Sequence, residues 1–278
     1  MVNVLQPCGG WTKRYRSSVD QRPNPSAAPV CKIRLRYAKR GKLRFTSHRD
    51  VARAFERALR RAGLPMAYSQ GYNPHPKLSW VGAAPTGTAS EAEYVEIALV
   101  ARVDPEVVRA ELDAALPDGL AVLECVLAGA GGFAERIEAS RWRIEIPGVG
   151  AEQLRKAASG LLAAPEVLVE RVTKDGKRHI DARAAIVCLA VEDCPVHPPE
   201  HDHLPECGIL TVVVRQASPA VRPDDVLSAL GVVAGLRPRA PARATRVAQG
   251  RLDDDGGLVD PLAPDLAAAR MVPVESGW

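Results

Sequence analysis

Two short runs carry residues whose types and spacing suit an anionic ligand. The first is Ser47-His48-Arg49-Asp50. Ser47 followed three residues later by an acid predicts a capped helix start. Free N–H groups and the macrodipole at such a start favour anions, and Arg44, Arg49 and Arg53 would add positive charge. Capping needs Ser47 and Asp50 but not His48, so His48 is either packing at the helix entrance or lining a site. The second run is Asn73-Pro74-His75-Pro76-Lys77. Each proline drives the residue before it into extended backbone. His75 is thereby held between two stiff points and loses little freedom on binding. Tyr68, Tyr72 and Trp80 are near enough in sequence to stack on a base or ring. Two imidazoles that met would suit general acid–base cleavage of RNA, which makes His48 and His75 the catalytic candidates. The spacing does not say whether they meet, and the alternative for His75 is a structural turn with a solvated ring.

A third run, Cys194-x2-His197-x3-His201-x-His203-x3-Cys207, offers five soft or borderline ligands and could hold a structural zinc. Its spacing matches no standard finger, and the alternative is a polar loop. Arg222-Pro223-Asp224-Asp225 reads as an ordinary helix start with acids in the first turn. The C-x3-C-x2-C spacing of a radical SAM cluster is absent, so the chain is not itself a radical SAM enzyme. P-loop, dinucleotide, HExxH and GxSxG patterns are absent as well. Six irregularly spaced cysteines argue against a disulfide scaffold and for a reducing cytoplasm.

The charge is divided along the chain. Its 278 residues carry a net +4, yet residues 31–80 hold thirteen Lys/Arg against two acids, a local +11. Residues 1–30 add +3, which leaves −10 for the remainder. Such a basic block favours polyanions, the bland alternative being a solvated surface. Aromatic residues make up only 4% and no RNP1 motif occurs, so RNA recognition would lean on phosphate and shape. No stretch is long and apolar enough for a membrane span, and no membrane partner is expected.

Several elements must position these groups. Ile33–Tyr37 alternates as a strand, Gly41 turns it, and Leu43-Arg44-Phe45 continues the alternation. The Ser47 helix has Val51, Phe55, Ala58, Leu59 and Ala62 as its buried stripe, leaving Arg49, Arg53, Arg57, Arg60 and Arg61 outside it. Gly63 and Pro65 end it. Strands follow around 66–69, 78–81 and 93–100, then a helix opened by Asp104-Pro105 and a strand over 120–127. After Gly129, Gly131 and Gly132 the order repeats: strand 141–146, helix 151–164, strands 167–173 and 209–215, helix 223–230, strand 243–249. Two tandem ferredoxin-like βαββαβ units of an α+β fold are expected. The organisation reads as a disordered leader 1–30, a basic ferredoxin-like domain 31–128 and a Gly-rich linker 129–140. A second ferredoxin-like domain follows over 141–250, with the Cys/His insert 194–207, and then a disordered tail 251–278.

One run of residues, Arg44-Phe45-Thr46-Ser47-His48-Arg49-Asp50, then Arg53 to Pro65, then Tyr68 to Lys77, closely resembles the radical SAM-linked (radical SAM-associated) protein family of bacteria, a domain of unknown function. Pro85, Gly87, Ser90-Glu91, Glu93-Tyr94, Asp181, Arg183 and Val221 to Asp225 extend the match over roughly 32–250. The resemblance implies a radical SAM enzyme as partner and, through gene neighbourhood, an RNA-related role. The Cys/His insert and proline-rich leader depart from the pattern. The combined expectation is a cytoplasmic accessory protein that binds RNA for a modification or processing enzyme. Its RNA or anion site would comprise Arg44, Ser47, His48, Arg49, Arg53, Arg57, Arg60, Tyr72, Asn73, His75 and Lys77. The rivals are a histidine-dependent endoribonuclease and a protein–protein adaptor without RNA contact.

Overall fold

The first strand sets the plan of the molecule. In the computed structural model, which describes residues 27–173, 176–193, 207–238 and 240–271, β1 (Cys31–Lys39) alternates between two covered faces. Ile33, Leu35 and Tyr37 point to one side, where α1 (His48–Arg61) and α2 (Pro105–Ala115) supply Val51, Phe55, Leu59, Val108 and Leu112. Each such side chain contributes about 1.5–3 kcal/mol on burial. Arg34 alternates to the other side. There β3 (Ala89–Leu99) contributes Ala92 and Tyr94, packed against Phe133, Ile137 and Leu262. The helices that follow stop where their sequences say: Gly63 takes φ +62° just past α1, and Asp104 accepts the Glu106 N–H to open α2.

β1 pairs antiparallel with β3 and with β4 (Leu120–Leu127), and β2 (Leu78–Val81) pairs antiparallel with β3. The first half therefore runs β4-β1-β3-β2. In the second half β5 (Ala139–Pro147) leads to α3 (Ala151–Ala163), then a hairpin of β6 (Leu168–Thr173) and β7 (Gly176–Asp181). The short α4 (Ala182–Ala185), β8 (Ile186–Asp193), β9 (Cys207–Arg215), α5 (Pro223–Ala234) and β10 (Arg243–Leu252) complete it. Its order is β10-β5-β9-β8, the same pattern of positions as the first half. Thr245 and Arg246 of β10 pair parallel with Ala89 and Ser90 of β3, so the two halves share one nine-stranded sheet in an α+β fold.

Three expectations are corrected. Leu43-Arg44-Phe45 does not prolong β1: Gly41–Phe45 is a 3-10 turn, with Gly41 at φ +56°. Val167–Thr173 is not a strand of the main sheet. Residues 168–173 pair only with β7, and β8 takes the sheet position beside β9. Residues 251–271 are not a disordered tail: β11 (Leu258–Val259) pairs with β10, and α6 (Ala263–Met271) packs on the face of β1 and β4 that α1 and α2 leave bare. Residues 129–140 include the buried Phe133, Ile137 and Ala139. The leader 1–26 and residues 272–278 lie outside the described residues.

Candidate functional site

The capped start of α1 forms as its sequence requires. Ser47 Oγ accepts the Asp50 N–H at 3.2 Å and donates to Asp50 Oδ2 at 2.7 Å. The helix buries Val51, Ala54, Phe55, Ala58 and Leu59 and leaves Arg49, Arg53, Arg57, Arg60 and Arg61 exposed. Arg53 lies 3.5 Å from Asp50, and Arg61 donates to the Ala115 carbonyl. Arg49, Arg57 and Arg60 have no ion pair among the described residues. At 1.5 Å per residue, Arg49 to Arg60 spans about 16 Å of helix.

The rest of the basic block is largely answered from within. Lys32 and Arg34 both bind Glu96, Arg34 also binds Asp265, Arg36 binds Glu124 and Arg40 binds Glu91. All four carboxylates come from outside residues 31–80. Lys39 is 3% exposed, and burial drives its amine below the usual lysine range, with nearby Glu93 opposing that shift. Arg44 lies over the Phe45 ring at 4.7 Å, and its Nε is buried without a hydrogen bond among the described residues. The density of charge in sequence thus narrows to one helix face and the exposed Lys42 and Lys77.

His48 opens α1, and His75 lies in the loop between the end of that helix and β2. His48 packs edge-on against Trp80, ring centroids 5.1 Å apart, beside the contacts Trp80 makes with Phe55 and Tyr37. The chain leaves the far end of α1 to pair Met66 with Leu99. There the Ser69 N–H donates to the His75 carbonyl at 2.8 Å, and the His75 N–H donates to Ser69 Oγ at 3.0 Å. Asn73, His75, Lys77 and Tyr72, the last 75% exposed, belong to this loop. Five residues of extended chain, about 16 Å at ~3.3 Å per residue, separate His75 from Trp80. The loop follows the end of α1 that carries Arg60 and Arg61, whereas His48 opens the helix at its other end. Among the described residues His48 and His75 make no contact with each other.

The sequence reading missed the buried ionic clusters. Arg34 Nη1 donates to both oxygens of Asp265 at 2.9 Å, and Arg136 and the Gly129 N–H also donate to that carboxylate. Burial alone would raise the Asp265 carboxyl, but these donors outweigh it and hold it below the ordinary range. Glu93 receives Arg246 and the Ala84 N–H. The available signal was β1 itself, where an arginine on a strand covered on both faces demands a partner. Among the described residues no group of three or more His, Cys, Asp or Glu could hold a metal. Cys194, His197, His201 and His203 lie outside the described residues, and Cys207 opens β9 opposite Pro147. No helix among the described residues is long and apolar enough to cross a membrane.

The profile of a family described as uncharacterized proteins conserved in bacteria (DUF2344) covers residues 32–223. No curated protein matches the chain.

Proposed function

The chain belongs to that bacterial family, and from this premise we propose that it is an RNA-binding accessory protein whose contact surface is the outer face of α1. One observation carries the reading: Arg49, Arg57 and Arg60 stand exposed and, among the described residues, without a carboxylate partner, on a helix whose other face is locked to the sheet. Guanidinium groups on a rigid support meet phosphates with little ordering cost. The 70–77 loop, with Tyr72, His75 and Lys77, extends the surface at the Arg60 end and offers a ring for stacking. Affinity of this kind comes from phosphate charge and falls steeply with salt.

The two strand orders support reading each half as a ferredoxin-like unit. A radical SAM enzyme as protein partner, and a cytoplasmic setting, follow from the family resemblance and the cysteine usage alone. The separation of His48 from His75 does not favour the endoribonuclease reading.

The test is binding of a structured RNA by electrophoretic shift at low salt, with wild type beside Arg49→Gln/Arg57→Gln/Arg60→Gln. A shift that the triple variant weakens at least tenfold supports the proposal. No shift at low salt, or an unchanged one in the variant, refutes it.

A further inference from the structure

A cleft of about 280 Å³ opens where the two halves meet. Its floor is β10 and β5, carrying Arg246, Gln249, Trp142 and Ser140. Its walls are the turn after β2 and the end of β9 with the segment that follows it, which bring Arg215 and Arg222. Among the described residues the lining holds three arginines and no carboxylate. Arg246 is 3% exposed and lies over the Trp142 ring at 5.5 Å. Its Nε donates to Ser90 Oγ at 3.3 Å and its Nη2 to Glu93, whereas Nη1 has no partner among the described residues and is not sealed from solvent. The wall is fitted closely: Gly82 has φ +58°, and a Cβ there would lie 2.6 Å from Gln249 Oε1.

We propose that this cleft binds the phosphate monoester of a ligand about the size of a mononucleotide. The charge count selects the group. Three guanidiniums less the Glu93 carboxylate behind Arg246 leave two positive charges, which a carboxylate would half-match and a phosphate monoester, at about −1.5 to −2, would meet. Guanidinium forks suit its oxygens. The volume exceeds what a bare phosphate fills and falls near the lower end for small-molecule pockets, roughly 300 Å³. The phosphate can arrive on a free nucleotide or on the end of an RNA, and the second source rests on the RNA-binding reading above.

Calorimetry on the full chain separates these sources. Adenosine 5′-monophosphate is titrated beside adenosine, and an RNA octamer with a 5′-phosphate beside the same octamer with a 5′-hydroxyl. Each is repeated on Arg215→Gln/Arg222→Gln, both exposed positions, with the melting temperature checked first. The proposal predicts at least a tenfold gain from the phosphate, lost in the variant. A gain for the mononucleotide identifies a free ligand, and a gain confined to the octamer identifies an RNA end. No gain in either pair, or a gain that survives in a variant with an unchanged melting temperature, overturns it. The α1 triple variant should weaken both octamers equally and leave the phosphate gain intact, so the two proposals fail separately.

Discussion

Arg34 and Asp265, 231 positions apart, meet with Nη1 donating to both carboxylate oxygens at 2.9 Å, and both side chains are at most 3% exposed. The contact ties the first strand to the last helix. Removing one partner of a buried pair leaves an uncompensated charge and costs about 3–5 kcal/mol. Asp265→Ala should lower unfolding free energy by that amount in a denaturant titration. A loss under about 1 kcal/mol would mean that α6 is not held by this carboxylate.

The same cluster predicts acid lability. Burial would raise the carboxyls of Glu96 and Asp265. Hydrogen bonds from Lys32 and Arg34 to Glu96, and from Arg136 and Arg34 to Asp265, overcome that and hold both below their ordinary values. Such groups bind fewer protons folded than unfolded. Their contribution is present above the unfolded carboxylate values, about 4, and is lost as pH falls through the depressed folded values. The urea midpoint of wild type should drop below about pH 4, and Asp265→Ala should show a shallower drop. Parallel curves would contradict the assignment.

Gly250 tests whether residues 251–271 belong to the fold. A Cβ at this position would run into the Val259 carbonyl oxygen, so β11 approaches β10 only because Gly250 has no side chain. Gly250→Ala should cost about 1–3 kcal/mol and open the segment to limited proteolysis. A variant as stable and as resistant as wild type would show that β11 does not dock there.

How much of this was readable in advance depended on whether the signal was local. The Ser47–Asp50 cap, the Val51–Leu59 stripe and the Asp104-Pro105 start are local chemistry, and each formed. Leu120–Leu127 was bounded by Pro117 and the Asp118-Gly119 turn and matched to the residue. The sequence shows a strand over 167–173 and a turn at Asp175-Gly176, but not that this strand leaves the main sheet, because alternation says that a residue is half-covered and not by what. β8, a continuous Ile186–Val191 apolar run, lacked period and went unread. α6 hid in an Asp/Ala/Pro composition whose meaning lies in Arg34. For the candidate site, the exposed arginine face was legible, whereas its isolation from carboxylates depended on Glu91, Glu96, Glu124 and Asp265 occupying Arg40, Lys32, Arg34 and Arg36 instead.

The histidines should act independently. His48 contacts Trp80 and His75 is tied to Ser69, with no shared partner among the described residues. Losses in RNA affinity from His48→Ala and His75→Ala should add within about 0.5 kcal/mol in the double variant. A coupling above about 1 kcal/mol would place both rings on one phosphate and contradict their independence.

Whether the guanidiniums on α1 take RNA phosphates is measured most directly by the salt dependence of binding. For a single-stranded RNA, each phosphate contact contributes about −0.7 to the slope of log K against log salt. Replacing Arg49, Arg57 and Arg60 with glutamine should make that slope shallower by about 2 while the melting temperature holds. A slope unchanged from wild type in a folded triple variant would place the RNA contacts elsewhere.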